Sequence, residues 1–232
     1  MKLRLLSTQT DSQTAKLLAK TLTEILGYRV WRSDTIMSFA VHVQYGDPRT
    51  KDWQYEWMQK RNLPGPEFTY SIAKAIEWKN AGNTIIARQM INSQDGGGII
   101  VVKPTDNLPD AKVYTKYFPA TAEFRVMLFQ DKVLQIFEKR RKHGFPKNIL
   151  KTTGNGYVLC SSNVNIPPGI ETLAQQFCYI NRSDIKGIDI AYDENTKKMM
   201  VLEINSAPEM GPIMCKKIAQ LILDTYPEEL VI

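Results

Sequence analysis

Apolar and polar residues alternate most regularly between residues 122 and 140. Two segments, AEFRVMLF and KVLQIFEKR, flank the dipeptide QD. Every second residue of the first segment is apolar, at Phe124, Val126 and Leu128. The residues between them are Glu123, Arg125 and Met127. Because successive strand residues face opposite sides of a sheet, the pattern predicts a β-hairpin with one apolar face and one largely polar face.

Other segments repeat apolar residues at the spacing of an amphipathic helix. They cover residues 11–28, 68–82, 168–181 and 211–226. Either Asp11 or Ser12 is suited to cap the first helix, and Gly27 is suited to end it. Gly82 is suited to end the second helix because glycine readily adopts the left-handed conformation that follows many helices. The sequence therefore predicts four helices.

Short apolar runs predict strands along the rest of the chain. They cover residues 3–7, 39–46, 84–88, 98–102, 112–118, 185–192 and 199–205. A polar, tryptophan-rich segment follows the second of these strands and is not assigned an element. Strands and helices occur in mixed order, with hairpins late in the chain. This order predicts an α+β, or mixed α/β, fold.

Composition narrows the class of protein. The chain has 232 residues and 43% hydrophobic residues, which is ordinary for a globular protein. No run of about 18 apolar residues is present, so we expect no membrane helix. The three cysteines are widely spaced and odd in number, and with only two histidines no zinc-ligand pattern arises. Reduced cysteines favour a cytoplasmic location.

The chain is basic, with a net charge of +6. Six basic residues and no acidic one lie in the thirteen residues from 139 to 151: Lys139, Arg140, Arg141, Lys142, Lys147 and Lys151. Such a stretch is typical of proteins that bind nucleic acid or a phosphate-rich ligand. Many basic proteins bind no polyanion, so the stretch alone leaves the function open.

Oxygen-bearing side chains fall at the ends of two late strands. Asp189 lies near the start of one strand, and Glu203 and Asn205 lie at the end of the next. If the two strands form an antiparallel hairpin, these ends are neighbours. Carboxylate and amide oxygens are the ligands that Mg²⁺ prefers. The alternative is a strand end that is simply solvated.

Two further segments are suited to bind phosphate. Gly96, Gly97 and Gly98 lie between two strands, where glycine allows close approach of the backbone to a ligand. Arg88 lies just before residues 89–98, the stretch that ends with these glycines. In the hairpin at 122–140, Arg125 and Arg140 lie on neighbouring strands and are placed to flank a transferring phosphoryl group. Basic strand residues also commonly face water, so these roles are hypotheses.

Taken in order, these motifs resemble the ATP-grasp superfamily. The resemblance covers roughly residues 62–210 and is most specific in GIDIAYDENTKKMMVLEINSAP. It is strongest to the peptide-ligase-like branch, which includes ribosomal-protein glutamate ligases, and to small phage-encoded ATP-grasp proteins. The resemblance implies two α+β subdomains that grip ATP. The implied division is an abbreviated N-terminal domain at 1–65, a central lid at 66–118 and a C-terminal subdomain at 119–232.

The resemblance also assigns roles to residues. It implies that magnesium is bound by Asp189, Glu203 and Asn205. It implies that the nucleotide is bound by Arg88, Gly96, Gly97, Gly98, Tyr114, Thr115, Lys116, Tyr117, Phe118 and Glu123. The catalytic cations are then Arg125, Arg140 and Arg141. Asn155 and Gly156 correspond to a polar loop on the substrate side. Met127 departs from the family, because many relatives have His at that position.

The implied activity is that of an ATP- and Mg²⁺-dependent carboxylate–amine ligase, which acts through an acyl phosphate and releases ADP and phosphate. The carboxylate and the amine are left open among small molecules, peptides and modified nucleic acids. One alternative is a phosphotransferase that uses the same ATP site. The other is a nucleic-acid-binding module that uses residues 139–151, for which we expect weak and non-specific binding.

Overall fold

The computed structural model describes residues 2–7, 12–34, 40–91 and 96–227. Within these ranges the helices are α1 (Gln13–Leu26), α2 (Lys51–Lys60), α3 (Ile72–Asn80), α4 (Ile170–Gln175) and α5 (Pro212–Thr225). The first strands are β1 (Lys2–Ser7), β2 (Trp31–Ser33), β3 (Ala40–Tyr45), β4 (Phe68–Thr69), β5 (Ile85–Arg88) and β6 (Ile99–Val102). The later strands are β7 (Val113–Lys116), β8 (Ala122–Phe129), β9 (Lys132–Arg141), β10 (Tyr157–Cys160), β11 (Ile185–Asp193) and β12 (Lys198–Asn205).

The strands form three sheets. A parallel sheet has the order β2-β1-β3, and an antiparallel sheet has the order β4-β7-β5-β6. The third sheet is antiparallel with the order β10-β9-β8-β11-β12. With the helices packed on them, these sheets confirm the prediction of an α+β fold.

The parallel sheet and helices α1 and α5 share one core. Helix α1 begins at Ser12, whose Oγ accepts a hydrogen bond from the Ala15 amide at 3.2 Å, and ends at Gly27 with φ of 70°. Its buried Leu18 and Leu22 pack in the same cluster as Ile218 of α5. The last helix of the chain therefore packs with the first one, although the predicted division assigns them to different domains. Asp11, the alternative cap, lies outside the described residues.

The four-stranded sheet buries its outer face against α3. Ala75 and Trp78 of the helix pack against Ile85, Ala87 and Tyr114 of the sheet. Helix α3 starts after Ser71, whose Oγ accepts from the Lys74 amide. Gly82 follows its end with φ of 89°, as expected for a residue that reverses the chain after a helix. The other face of this sheet looks toward the five-stranded sheet.

The five-stranded sheet is buried on both faces, which the alternating pattern did not predict. Phe124, Val126 and Leu128 pack toward α4, as expected. Met127, predicted on the polar face, is 1% exposed and packs with Phe129 against the N-terminal core. The same face therefore changes along β8, from apolar at Met127 and Phe129 to charged at Glu123 and Arg125.

Several elements were not predicted. Helix α2 lies in the polar, tryptophan-rich segment, where its buried residues include a glutamine, Gln54. Strand β10 directly follows Asn155 and Gly156, for which the sequence predicted only a polar loop. Strands β2 and β4 have only three and two residues. The helix predicted over 168–181 is regular only over six residues.

Candidate active site

A cleft of about 820 Å³, measured out to the solvent at its mouth, lies between the four-stranded and five-stranded sheets. One part of its wall is apolar and is formed by Ile86, Ile149, Leu150, Ala191, Met200 and Leu202. The charged lining residues are Arg88, Lys116, Glu123, Lys139, Lys151, Asp189 and Glu203. A cleft with one apolar part and one strongly charged part suits a ligand with the same division.

Asp189 is the centre of the charged part. Strand β11 lies between β8 and β12, so Asp189 is paired across the sheet with Arg125 on one side and Glu203 on the other. Its Oδ1 accepts from Arg125 Nε at 2.6 Å, and its Oδ2 accepts from Arg125 Nη2 at 2.8 Å and from Lys139 Nζ at 3.0 Å. The carboxylate is 3% exposed, and two cations hold it.

These contacts shift the pKa values of the groups involved. Burial alone would raise the pKa of the Asp189 carboxyl, but the charges of Lys139 and Arg125 lower it well below its usual range. Asp189 in turn raises the pKa of Arg125. Burial would lower the pKa of Lys139, yet Asp189 and Glu123 raise it. All three groups are therefore charged at neutral pH.

Glu203 has a different cation. Its Oε2 lies 2.6 Å from Lys51 Nζ at the start of α2. Burial would raise the pKa of the Glu203 carboxyl, but the Lys51 charge lowers it below its usual value. Asn205 lies two residues further along the strand, and its Oδ1 accepts a hydrogen bond from the Ala207 amide at 3.0 Å. The cross-strand pairing brings Asp189, Glu203 and Asn205 to neighbouring positions at one end of the sheet, as the sequence predicts.

These three side chains have the chemistry of a magnesium site. Two carboxylates and one amide offer the hard oxygen ligands that Mg²⁺ prefers, and Mg²⁺ usually keeps several waters or phosphate oxygens besides. No cluster of three or more His, Cys, Asp and Glu side chains suited to a metal occurs in the described ranges.

Two half-buried basic side chains that line the cleft each have a buried nitrogen without a hydrogen-bond partner. Among the described residues, Arg88 Nε and Lys151 Nζ are buried and have no hydrogen-bond partner. Lys151 Nζ lies 3.4 Å from Glu123 Oε1, and Glu123 also lies 3.5 Å from Lys139 Nζ. A buried donor without a partner is costly, so these two atoms point to an anionic ligand.

The segment predicted to hold the adenine divides in two. Thr115, Lys116, Tyr117 and Phe118 line the cleft. Tyr114 does not, because it faces the other side of the sheet. There its side chain is 1% exposed, and its hydroxyl donates to the Pro109 carbonyl at 3.0 Å and accepts from the Ala111 amide at 2.9 Å.

The glycine segment is described only in part. Gly96 lines the cleft, and Gly96 and Gly98 have φ of 78° and 67°, which favours glycine at both positions. Gly98 accepts a hydrogen bond from the Gln89 amide at 2.8 Å. Neither Gly97 nor Gly98 lines the cleft. Residues 92–95 of the segment lie outside the described residues.

None of the three predicted catalytic arginines, Arg125, Arg140 and Arg141, lines the cleft; Arg125 contacts Asp189, which does. Arg140 bonds to Glu138 and to the carbonyls of Ser162 and Asn163, and Arg141 donates to the Phe145 carbonyl at 2.9 Å. Lys139 lines the cleft instead. Lys139 and Arg140 face opposite sides of β9 because they are successive strand residues.

The basic stretch at 139–151 does not form one surface. Lys139 and Lys151 face the cleft, while Lys142 and Lys147 are exposed. Its two arginines donate hydrogen bonds to backbone carbonyls. The positive charges are thus divided between the cleft and the outside of the protein, which weakens the alternative of a nucleic-acid-binding face.

Some residues of the site were not found from the sequence. Lys51 and Tyr55 come from α2, which was not predicted. Tyr55 lines the cleft and is 1% exposed; burial raises its pKa, and the nearby charge of Arg88 opposes that rise. Ile149–Thr152 also line the cleft. Asn155 does not, but its Nδ2 donates to the Leu150 carbonyl at 2.8 Å and so shapes that segment.

The fold is similar to that of solved ATP-grasp ligases. For the ligase PsnB, in complex with a minimal precursor, Mg and ADP, the TM-score is 0.70 at 10% identity, and the match covers 99% of this chain and 97% of that one. For a RiPP-associated ATP-grasp ligase of Chryseobacterium gregarium, in complex with ADP and a leader and core peptide, the TM-score is 0.64 at 14% identity, covering 99% and 98%. For D-alanine–D-alanine ligase from Bacillus anthracis it is 0.62 at 12% identity, covering 97% of each chain.

No known family profile matches the sequence, and no curated protein is significantly similar to it. No helix in the described part of the chain is long and apolar enough to cross a membrane.

The similarity to solved ATP-grasp ligases rests on three-dimensional structure over nearly the whole chain. It confirms the fold that the motifs indicate: this chain has the ATP-grasp fold.

Proposed function

We propose that this protein is an ATP-dependent ligase that joins a carboxylate to an amine. The observation that carries the proposal is the cleft between the two sheets. There, two carboxylates suited to magnesium lie beside half-buried cations, and Arg88 Nε and Lys151 Nζ are buried without a hydrogen-bond partner. This combination is expected of a site for a nucleotide with its metal.

The residues present fit ATP and Mg²⁺. The apolar walls, including Ile86 and Leu202, suit the adenine base, and Thr115–Phe118, at the end of β7 and just beyond it, lie beside it. Arg88, Lys139 and Lys151 suit the phosphates. Asp189, Glu203 and Asn205 would hold the metal, which when bound neutralises charge on phosphate oxygens and orients them. Arg125, held by Asp189, keeps a positive charge beside this position.

In the proposed reaction, a carboxylate oxygen of the substrate attacks the γ-phosphorus of ATP, and the bond to ADP breaks. The amine nitrogen of the second substrate then attacks the acyl carbon, loses its proton and displaces phosphate. The products are an amide, ADP and phosphate. The buried cations of the chain stabilise charge that develops on the transferring group. The enclosing sheets limit access of water, which would otherwise hydrolyse the activated acyl group.

We propose a peptide as the substrate class. PsnB is in complex with a minimal precursor, and the Chryseobacterium gregarium ligase is in complex with a leader and core peptide. Both match nearly all of this chain. The peptide's own carboxylate and amine groups would then be the reacting partners, since either side chains or termini supply both groups.

The test is ATP-dependent phosphate release with candidate peptides, followed by the mass of the product. Ligation removes one water from the joined groups, whereas the alternative phosphotransferase adds a phosphoryl group. Glu203→Gln keeps the shape of the side chain but removes a metal-binding charge, so turnover should fall by about 100-fold or more. Glu24→Gln, on the exposed side of α1, is the matched control and should leave turnover unchanged.

Near-normal turnover of the folded Glu203→Gln variant would contradict the metal site and the proposed ligase activity. A stable phosphorylated product without an amide would instead favour the phosphotransferase.

A further inference from the structure

Lys51 lies close to the proposed metal site, although none of the sequence motifs includes it. Its Nζ is 2.6 Å from Glu203 Oε2, although the two residues are 152 positions apart in the chain. The Lys51 and Glu203 side chains are 15% and 29% exposed. In the described ranges this is the one ion pair of Glu203. Lys51 therefore neutralises the carboxylate that is expected to bind the metal.

The position of Lys51 on its helix gives no reason for a cation. Lys51 is the first residue of α2, where the positive end of the helix dipole disfavours positive charge. The helix is instead fixed by Gln54, one turn later. Gln54 Nε2 donates to the Ile204 carbonyl at 3.1 Å, and its Oε1 accepts the Ile204 amide at 2.8 Å. This clamp places Lys51 beside Glu203, the neighbour of Ile204.

The backbone of Lys51 is held as well, because its amide donates to the Ile91 carbonyl at 3.4 Å. The flexible part is the side chain, a long chain with several rotatable bonds. An ammonium and a divalent cation repel each other and would use the same carboxylate oxygen. Both cannot occupy Glu203 Oε2 at once, so the metal must displace the Lys51 side chain or leave that oxygen unused.

We propose that Lys51 is a placeholder cation for the metal: it occupies Glu203 when no metal is bound and competes with the divalent ion for that carboxylate. The inference rests on the metal site of the proposed function. The competition lowers the affinity of the nucleotide-free protein for a divalent ion. Metal then binds productively together with a nucleotide, whose phosphates supply the further oxygen ligands. Lys51 is thus a positioning residue that acts through Glu203.

The test measures metal binding directly, without nucleotide and without turnover. Mn²⁺ is titrated into the protein, and free Mn²⁺ is followed by electron paramagnetic resonance. Lys51→Met removes the competing charge and should tighten Mn²⁺ binding by at least about fivefold, the lower end of typical coupling between linked binding events. Lys51→Arg keeps the charge and should bind Mn²⁺ nearly as weakly as the unmodified protein.

Lys74→Met is the matched control. Lys74 also forms a 2.6 Å pair with a glutamate, Glu77, but on the exposed surface of α3. It should leave Mn²⁺ binding unchanged. Introducing Glu203→Gln into the Lys51→Met variant should abolish the gain, which shows that the tighter site is at Glu203. Circular dichroism confirms that each variant is folded.

Unchanged or weaker Mn²⁺ binding by folded Lys51→Met would overturn the placeholder role while leaving the ligase proposal intact. Absence of Mn²⁺ binding to every protein, with and without ATP, would overturn the metal site and the placeholder role together.

Discussion

Replacing Arg88 with methionine should change stability and ligand binding in opposite directions. Arg88 ends β5 at the wall of the cleft, and its Nε is buried without a hydrogen-bond partner in the described part of the chain. Methionine keeps much of the length of the side chain and removes the polar atoms. The substitution therefore removes a donor that the ligand-free protein leaves unsatisfied.

The expected sizes follow from that geometry. A buried, unsatisfied polar group costs roughly 1–3 kcal/mol, so Arg88→Met should raise the free energy of unfolding of the ligand-free protein by up to that amount. A hydrogen bond to a charged group is worth about 1.5–3 kcal/mol. Loss of such a bond to a phosphate should weaken ATP binding by roughly 10- to 100-fold.

Urea unfolding gives the first quantity, and isothermal titration calorimetry with ATP and Mg²⁺ gives the second. Arg61→Met is the control, because Arg61 stacks on the Trp57 ring at 4.3 Å and does not line the cleft. It should not weaken ATP binding. A destabilised Arg88→Met protein with unchanged ATP affinity would refute the reasoning, because Arg88 would then be a structural residue.

Two other predictions concern the charged centre and the glycine segment. Because the folded-state pKa of Asp189 is lowered, its stabilising effect is complete above the ordinary Asp pKa of about 3.9 and is lost as the pH falls toward the folded-state value. Asp189→Asn should therefore lower stability at pH 7 and flatten its decline below about pH 4, as urea unfolding at several pH values will show; an equally steep decline would argue against it. Gly98→Ala should destabilise the protein by about 1–2 kcal/mol, because φ is 67° and a Cβ would lie 3.1 Å from Met90 side-chain carbons; thermal unfolding at an unchanged temperature would contradict this.

The sequence was informative where local patterns determine the structure. Strands with clear alternation, such as β8, and helices with glycine ends, such as α1, were predicted close to their observed bounds. The neighbouring positions of Asp189 and Glu203 followed from one hairpin, which needs only a short turn and an antiparallel pairing. These features depend on residues that are close in sequence.

Features that depend on distant contacts were not predictable in the same way. Helix α2 lacks a clear apolar stripe, since one of its three buried residues is Gln54, whose partner in β12 lies 150 residues away. The choice between Lys139 and Arg140 depends on strand register, since a shift of one residue moves every side chain to the other face. The β8–β9 pairing shifts register between Met127 and Leu128, which no local pattern signals. Lys51 was not predicted as a site residue because its contact with Glu203 also joins segments 152 residues apart.

The contact between α2 and β12 also affects how the protein behaves at high concentration. Strand β12 is the outer strand of its sheet and contains the apolar run MMVL at 199–202. Exposed outer strands of this kind pair with other molecules and promote aggregation. Here the Val201 amide donates to the Pro64 carbonyl at 2.7 Å, and Gln54 satisfies both backbone groups of Ile204. Helix α2 and the segment after it, which place Lys51 beside Glu203, thus also shield this strand from intermolecular β-pairing.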